Sequence, residues 1–161
     1  MQTDPNPANY FYDHGKDLLY LIDYGAAKKF SKEFVQSYME MLHASINNDR
    51  DKIIDSSIKL GILTGEEGKD MIEAHVHAVT MVGEPFRHDG LFDFGNQDLT
   101  TRIYEKMPEI IQKRLKSPPL EVFALHRLLG GVFLMCMKLR SVVPMRRIFE
   151  DIYYQVNEGG K

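Results

Sequence analysis

The chain has a single cysteine, Cys136, in 161 residues, so no intrachain disulfide can form and nothing calls for an oxidising compartment. Cys136 sits in an apolar helical run, where a small buried hydrophobe is expected. A charge excess is missing too. With 20 Lys and Arg against 23 Asp and Glu, the net charge of −3 removes the electrostatic reason to expect nucleic acid as a partner. Basic residues gather only in short clusters (Lys28, Lys29 and Lys32; Lys113, Arg114 and Lys116; Arg146 and Arg147), each expected on a solvated face. Long hydrophobic runs are also lacking. The longest uncharged stretch of the second half, residues 128–137, lies between Arg127 and Lys138. It is too short for a bilayer that takes about 20 residues, and is expected as buried helix core or, at most, a face touching lipid. No repeat or low-complexity segment occurs. His75 and His77 are two apart on a helix and cannot share a face; with His43, His88 and His126 scattered elsewhere, a zinc site is not expected.

What is present fits one domain with one core: 43% hydrophobic and 27% charged residues. The first 25 residues differ from the rest. Residues 9–12 and 18–22 are short runs of aromatic and branched side chains that favour strands. Asp13 to Asp17 supplies the turn between them, with Gly15 expected at positive φ.

From Ser31 the pattern becomes helical. Ser31 caps a first helix with Phe30 and Val35 as a staple, and Phe34, Val35, Tyr38, Met41, Leu42 and Ile46 as its apolar stripe. Asp49 caps a second, with Ile53, Ile54 and Ile58 inward and Gly61 as its stop. Thr64 and Glu67 read as the capping box of a third, carrying Met71, Ile72, Val76 and Val79. Residues 83–96 read as a loop. A fourth helix starts near Asp98 and meets Pro108, expected to kink or divide it. Pro119 opens a long helix ending near Leu139, and the last follows Pro144. Gly130 and Gly131 interrupt the long helix at about 1 kcal/mol each, which close approach of another backbone would explain. The methionines Met71, Met81, Met135 and Met137 are expected as core filling.

Three polar residues bracket the hairpin. Asp4 and Asn9 are separated by four residues, as are the aspartate and asparagine of a protein-kinase catalytic loop. Asp23 follows just after the second strand, in Asp23-Tyr24-Gly25. A hairpin folds its second strand back beside its first, so Asn9 at the entry and Asp23 at the exit converge. Phosphoryl transfer from ATP needs such convergence, because Mg²⁺ takes hard oxygen ligands in near-octahedral geometry. Asn9 and Asp23 are therefore the metal-ligand candidates. Asp4 is the catalytic candidate that orients an acceptor and takes its proton. Gly25 allows the sharp turn after the ligand. The plainer reading is a polar hairpin whose ends carry Asp and Asn because turns favour them. A second Asp-Phe-Gly, Asp93-Phe94-Gly95, lies far downstream between helices, unlinked by any hairpin to Asp4 and Asn9.

The run Gln2-Thr3-Asp4-Pro5-Asn6-Pro7-Ala8-Asn9 resembles the catalytic loop of the UbiB (aarF-domain) family, which carries Asp-Pro-His/Asn-Pro-x-Asn. The similarity continues through Leu21-Ile22-Asp23-Tyr24-Gly25 and Phe92-Asp93-Phe94-Gly95 to Leu125-His126-Arg127-Leu128-Leu129-Gly130-Gly131. The eukaryotic, mitochondrial branch is the nearest in character. The resemblance implies a mainly α, protein-kinase-like C-lobe with a short N-terminal catalytic β-hairpin. Residues 1–25 would hold the catalytic loop, hairpin and Asp-Tyr-Gly, and 26–161 the helical lobe. It further implies ATP and Mg²⁺ as cofactors, a kinase or ATPase activity required for ubiquinone (coenzyme Q) biosynthesis, and mitochondrial placement. Other coenzyme Q biosynthesis proteins and membrane lipid are the implied partners. Carried over by position, Asp4 is the catalytic aspartate and Asn9 and Asp23 hold the metal.

The departures are specific. Gln2-Thr3 replaces the usual His-Arg, Tyr24 stands where kinases usually carry Phe, and no Ala-Pro-Glu follows Asp23. The N-lobe, with its nucleotide-covering loop and lysine-bearing strand, and the Lys-x-Gly-Gln helix are absent from these residues. Met1 stands only three residues before Asp4, so the natural start is expected upstream. A non-catalytic helical interaction module is therefore the alternative reading. A small-molecule phosphotransferase of the choline-kinase kind shares the loop logic, but more often carries an acidic residue where Gly25 stands.

Overall fold

In the computed structural model the described residues are 3, 4, 6–23 and 25–158, with the side chains of residues 100, 104, 106, 107, 109 and 158 also left aside. Two antiparallel strands come first, β1 (Tyr10–Asp13) and β2 (Leu18–Leu21), paired in the register Tyr10 to Leu21 through Asp13 to Leu18. The turn differs from expectation at one point: the left-handed residue is Asp17, at φ 53°, rather than Gly15. Asp13 explains the difference. Its Oδ1 accepts the Gly15 and Lys16 amides, and Tyr12 donates its hydroxyl to Asp17, so side chains rather than glycine freedom shape the bend.

The body is helical: α1 (Lys32–Ile46), α2 (Arg50–Lys59), α3 (Lys69–Val82), α4 (Glu84–Arg87), α5 (Leu99–Lys113), α6 (Leu120–Lys138) and α7 (Met145–Glu158). Ser31 caps α1 by accepting the Phe34 amide, and Phe30 stacks on Phe34. Asp49 caps α2, and Gly61 at φ 69° ends that segment. Ile53 is buried but Ile58 faces solvent. Glu67 does not box the start of α3. Its carboxylate instead accepts the Thr64 amide and hydroxyl and the Gly65 amide, closing a separate turn before Gly68 opens the helix.

Residues 83–96 are more ordered than a loop. They contain α4, a two-residue strand β3 (Phe92–Asp93) paired with β4 (Val142–Val143), and a 3-10 turn over Phe94–Asn96. Phe94 is 1% exposed, and a Cβ on Gly95 would sit 3.0 Å from Arg140 Cβ, so this second Asp-Phe-Gly is packed into the body beside β4. Helix α5 runs through Pro108 undivided. The core gathers Tyr38, Met41 and Leu42 of α1, Val79 and Met81 of α3, Phe133 of α6 and Phe149 of α7. Cys136 is only partly buried at its edge.

Two further expectations fail. Arg114, grouped with solvated basic residues, is half-buried, with its Nε shielded from water. Residues 128–137, expected as buried core or at most a face touching lipid, are not a buried core: only Phe133 is buried there, with Val132 and Leu134 facing solvent. Elsewhere on α6 only Val122 is buried, while Leu120 and Phe123 are exposed. By length and composition alone, α6 is long and apolar enough to cross a bilayer, and little of it is buried. The first turns of the helix extend the uncharged run between Arg127 and Lys138 with further apolar residues.

Candidate active site

The loop before β1 and the segment after β2 are tied at two levels. Near the strands, Ile22 N–H donates to the Asn9 carbonyl at 2.9 Å, extending the ladder by one pair. Farther out, the Thr3 amide donates to the Ala26 carbonyl at 3.0 Å, and the Thr3 hydroxyl donates to the same oxygen. Thr3 is buried, at 5% exposure. Asp4 and Asp23 lie between these two ties, and Asn9 forms part of the inner one.

The turn Pro7–Asn9 brings Asp4 and Asn9 together. Asn6 caps it, its side chain accepting the Ala8 amide, and proline fixes φ at the first position. Asn9 is thereby buried, at 7% exposure, and its Nδ2 donates to Asp4 Oδ2 at 2.8 Å. With the amide nitrogen committed to a carboxylate, the Asn9 side-chain oxygen remains the acceptor end of the group. Asp23 follows Ile22 directly, so it leaves the ladder at the level of Asn9. Its Oδ1 accepts the Gly25 amide at 2.7 Å, and a Cβ on residue 25 would stand 3.1 Å from that oxygen. Gly25 therefore keeps the carboxylate uncrowded. Tyr24 and Pro5 lie outside the described residues.

The donor set suits a hard divalent cation. Asn9 and Asp23 would hold it through an amide and a carboxylate oxygen, the ligand types magnesium accepts beside phosphates and water. Among the described residues no cluster of three or more His, Cys, Asp or Glu forms a separate metal site.

Two supports were not legible in the sequence. Arg127 of α6 donates from Nη2 to the Thr3 carbonyl at 3.4 Å, across 124 residues, and Lys28 pairs with Glu121 at the start of α6. The loop and the segment after Asp23 are thus both moored to one helix. The string Leu125-His126-Arg127 carried part of the resemblance, but no spacing rule links it to Thr3. His75 is a core group. Ser57 spends its proton on the Ile53 carbonyl at 2.6 Å, so His75 Nε2 is the donor to Ser57 Oγ at 2.8 Å. Burial, with Arg114 and His126 adding, lowers its pKa to about 4.

Residues 1–57, which contain Asp4, Asn9 and Asp23 but not their moorings on α6, match the ABC1 atypical kinase-like domain. The chain is 42% identical over 155 residues to atypical kinase COQ8B, mitochondrial, of Rattus norvegicus, covering 96% of this chain and 29% of that protein. It is 39% identical over 166 residues to atypical kinase coq-8, mitochondrial, of Caenorhabditis elegans, covering 99% and 22%. To atypical kinase COQ8, mitochondrial, of Saccharomyces cerevisiae it is 37% identical over 155 residues, covering 95% and 31%. The chain thus spans under a third of the length of these curated relatives. Their names agree with the mitochondrial placement expected from the sequence, and the helical body with its small hairpin fits a kinase-like C-lobe. With similarity running through the catalytic-loop motif and on through the helices, the chain belongs to the ABC1 atypical kinase-like family, the UbiB family of the sequence reading.

Proposed function

We propose that this chain forms the catalytic-loop and metal-holding part of an Mg-ATP-dependent atypical kinase or ATPase that supports coenzyme Q biosynthesis. The observation that carries the reading is the Asp4–Asn9 hydrogen bond of 2.8 Å, set beside an Asp23 that leaves the hairpin at the same level. Bound Mg²⁺ would neutralise phosphate charge during phosphoryl transfer. Asn9 and Asp23 would fix its position. The Asn9 amide also orients the Asp4 carboxylate, whose role is to accept a proton from the attacking hydroxyl or water. Arg127, through Thr3, positions the start of this loop without touching a reactant.

The test is ATP turnover by the complete protein that carries this chain. Asp23→Asn and Asp4→Asn should each lower it by about 10² or more, as loss of a positioned ligand or base does. Unchanged turnover in Asp23→Asn would remove the metal assignment.

One observation favours a second reading, a helical interaction module without catalysis. Phe11, Leu19 and Ile22 on the hairpin and Leu120 and Phe123 on α6 are all at least half exposed, surface that fits a docking partner. Titrating Mg-ATP into the 161-residue chain separates the two, since tight binding by this chain alone contradicts the module.

A further inference from the structure

Helix α6 turns His126, Leu129, Gly130 and Phe133 toward a cavity of about 210 Å³. Their spacing places them on one helical face. Gly130 makes the room: a Cβ built there meets no heavy atom within 4 Å, so no backbone approaches it as the sequence pattern suggested. Apolar side chains of α1, α3 and α5 complete most of the wall.

The polar groups on this wall are few and two lack partners. Tyr38 is 5% exposed, and its hydroxyl is buried with no hydrogen-bond partner among the described residues. Arg114 Nε is likewise buried and unpaired, and burial alone, with no carboxylate among the causes, lowers the guanidinium pKa. His75 is already committed to Ser57, and His126 packs against the Tyr38 ring at 5.9 Å. Buried donors left unmade are costly, and native structures rarely keep two in one place without a reason.

We propose that this cavity binds a small monocarboxylic amphiphile, its hydrocarbon tail along the Gly130 face and its carboxylate accepting from Arg114 and Tyr38. A guanidinium offers only donors, so the head group must be an acceptor. Carboxylate geometry matches its planar fork. One cation against an apolar wall offsets one negative charge, and a dianion would leave charge buried and unpaired. An apolar cavity of roughly 150 Å³ admits benzene, so this one takes a ligand of about ten non-hydrogen atoms, such as octanoate. The site makes no use of Asp4, Asn9 or Asp23 and stands apart from the phosphoryl-transfer reading.

Calorimetric titration of octanoate into the chain, beside octanol and octylamine, tests the proposal. Octanoate should bind saturably, with both analogues weaker by about tenfold or more. Arg114→Gln should weaken octanoate binding by a similar factor, Tyr38→Phe by less, and Gly130→Leu should abolish it by filling the cavity. The proposal is overturned if octanoate shows no saturable binding, if octanol binds as tightly, or if Gly130→Leu binds octanoate unchanged. Should Gly130→Leu fail to fold by circular dichroism, unchanged affinity in both Arg114→Gln and Tyr38→Phe overturns it equally.

Discussion

Asn9 donates its side-chain amide to the Asp4 carboxylate at 2.8 Å, which makes the two residues one unit rather than two separate polar ends of a hairpin. Asn9→Asp replaces that donor with a second carboxylate and sets two negative charges against each other. Turnover of ATP by the complete protein should fall by about 10² or more. Asn9→Asp with wild-type turnover would show that the pair does not act together.

His75 gives the fold a dependence on pH. Its pKa lies at about 4 in the folded chain, below the ordinary 6.5, because burial disfavours the charged ring. Above pH 6.5 the ring is neutral in both states and folding is not opposed. As pH falls from 6.5 towards 4, the unfolded chain takes up a proton that the folded chain refuses. Stability therefore drops by up to about 3 kcal/mol across that window. Urea unfolding at several pH values should show the loss, and His75→Gln should make it shallower, leaving the share of His126, whose pKa desolvation likewise lowers to about 4. An equally steep decline in that variant would place the cause elsewhere.

Gly130→Ala should stabilise the chain by about 1 kcal/mol, the ordinary gain of alanine over glycine inside a helix. The new methyl meets nothing within 4 Å, so no packing cost opposes it. A lower urea midpoint for this variant would mean that the space beside α6 is smaller than described.

Gly83→Ala makes the opposite case. A Cβ there would lie 2.0 Å from Ser45 Oγ and 2.9 Å from Ser45 Cβ, with Ser45 fully buried. Overpacking of this kind costs about 1–3 kcal/mol. The same unfolding measurement applies, and a neutral effect would show that α1 can yield at Ser45.

Local rules carried most of the architecture. Ser31 and Asp49 cap the helices expected of them because a cap needs only a side chain three residues from a free amide. The hairpin follows from alternating composition around polar turn residues. Glu67 was misread because a box signature records which groups can meet and not whether the helix begins beside them. Residues 83–96 hid a strand because β3 pairs with β4, nearly fifty residues away, and only that pairing makes two residues a strand. Arg114 and the exposed α6 escaped for a related reason: burial is decided by neighbours far along the chain. Of the site, Asp4 and Asn9 were legible because their meeting is local. The mooring of Thr3 by Arg127 was not, since it joins the two halves of the sequence.

The double tie at Thr3–Ala26 and Asn9–Ile22 turns residues 3–26 into a noose drawn shut at its throat. A molecule gripping both cords would tighten the throat and be measured as added heat resistance. If warming parted the cords, all three acidic and amide groups would lose their arrangement together. Grip should then vanish in one thermal step, without a stage at which the noose still holds by half its knots.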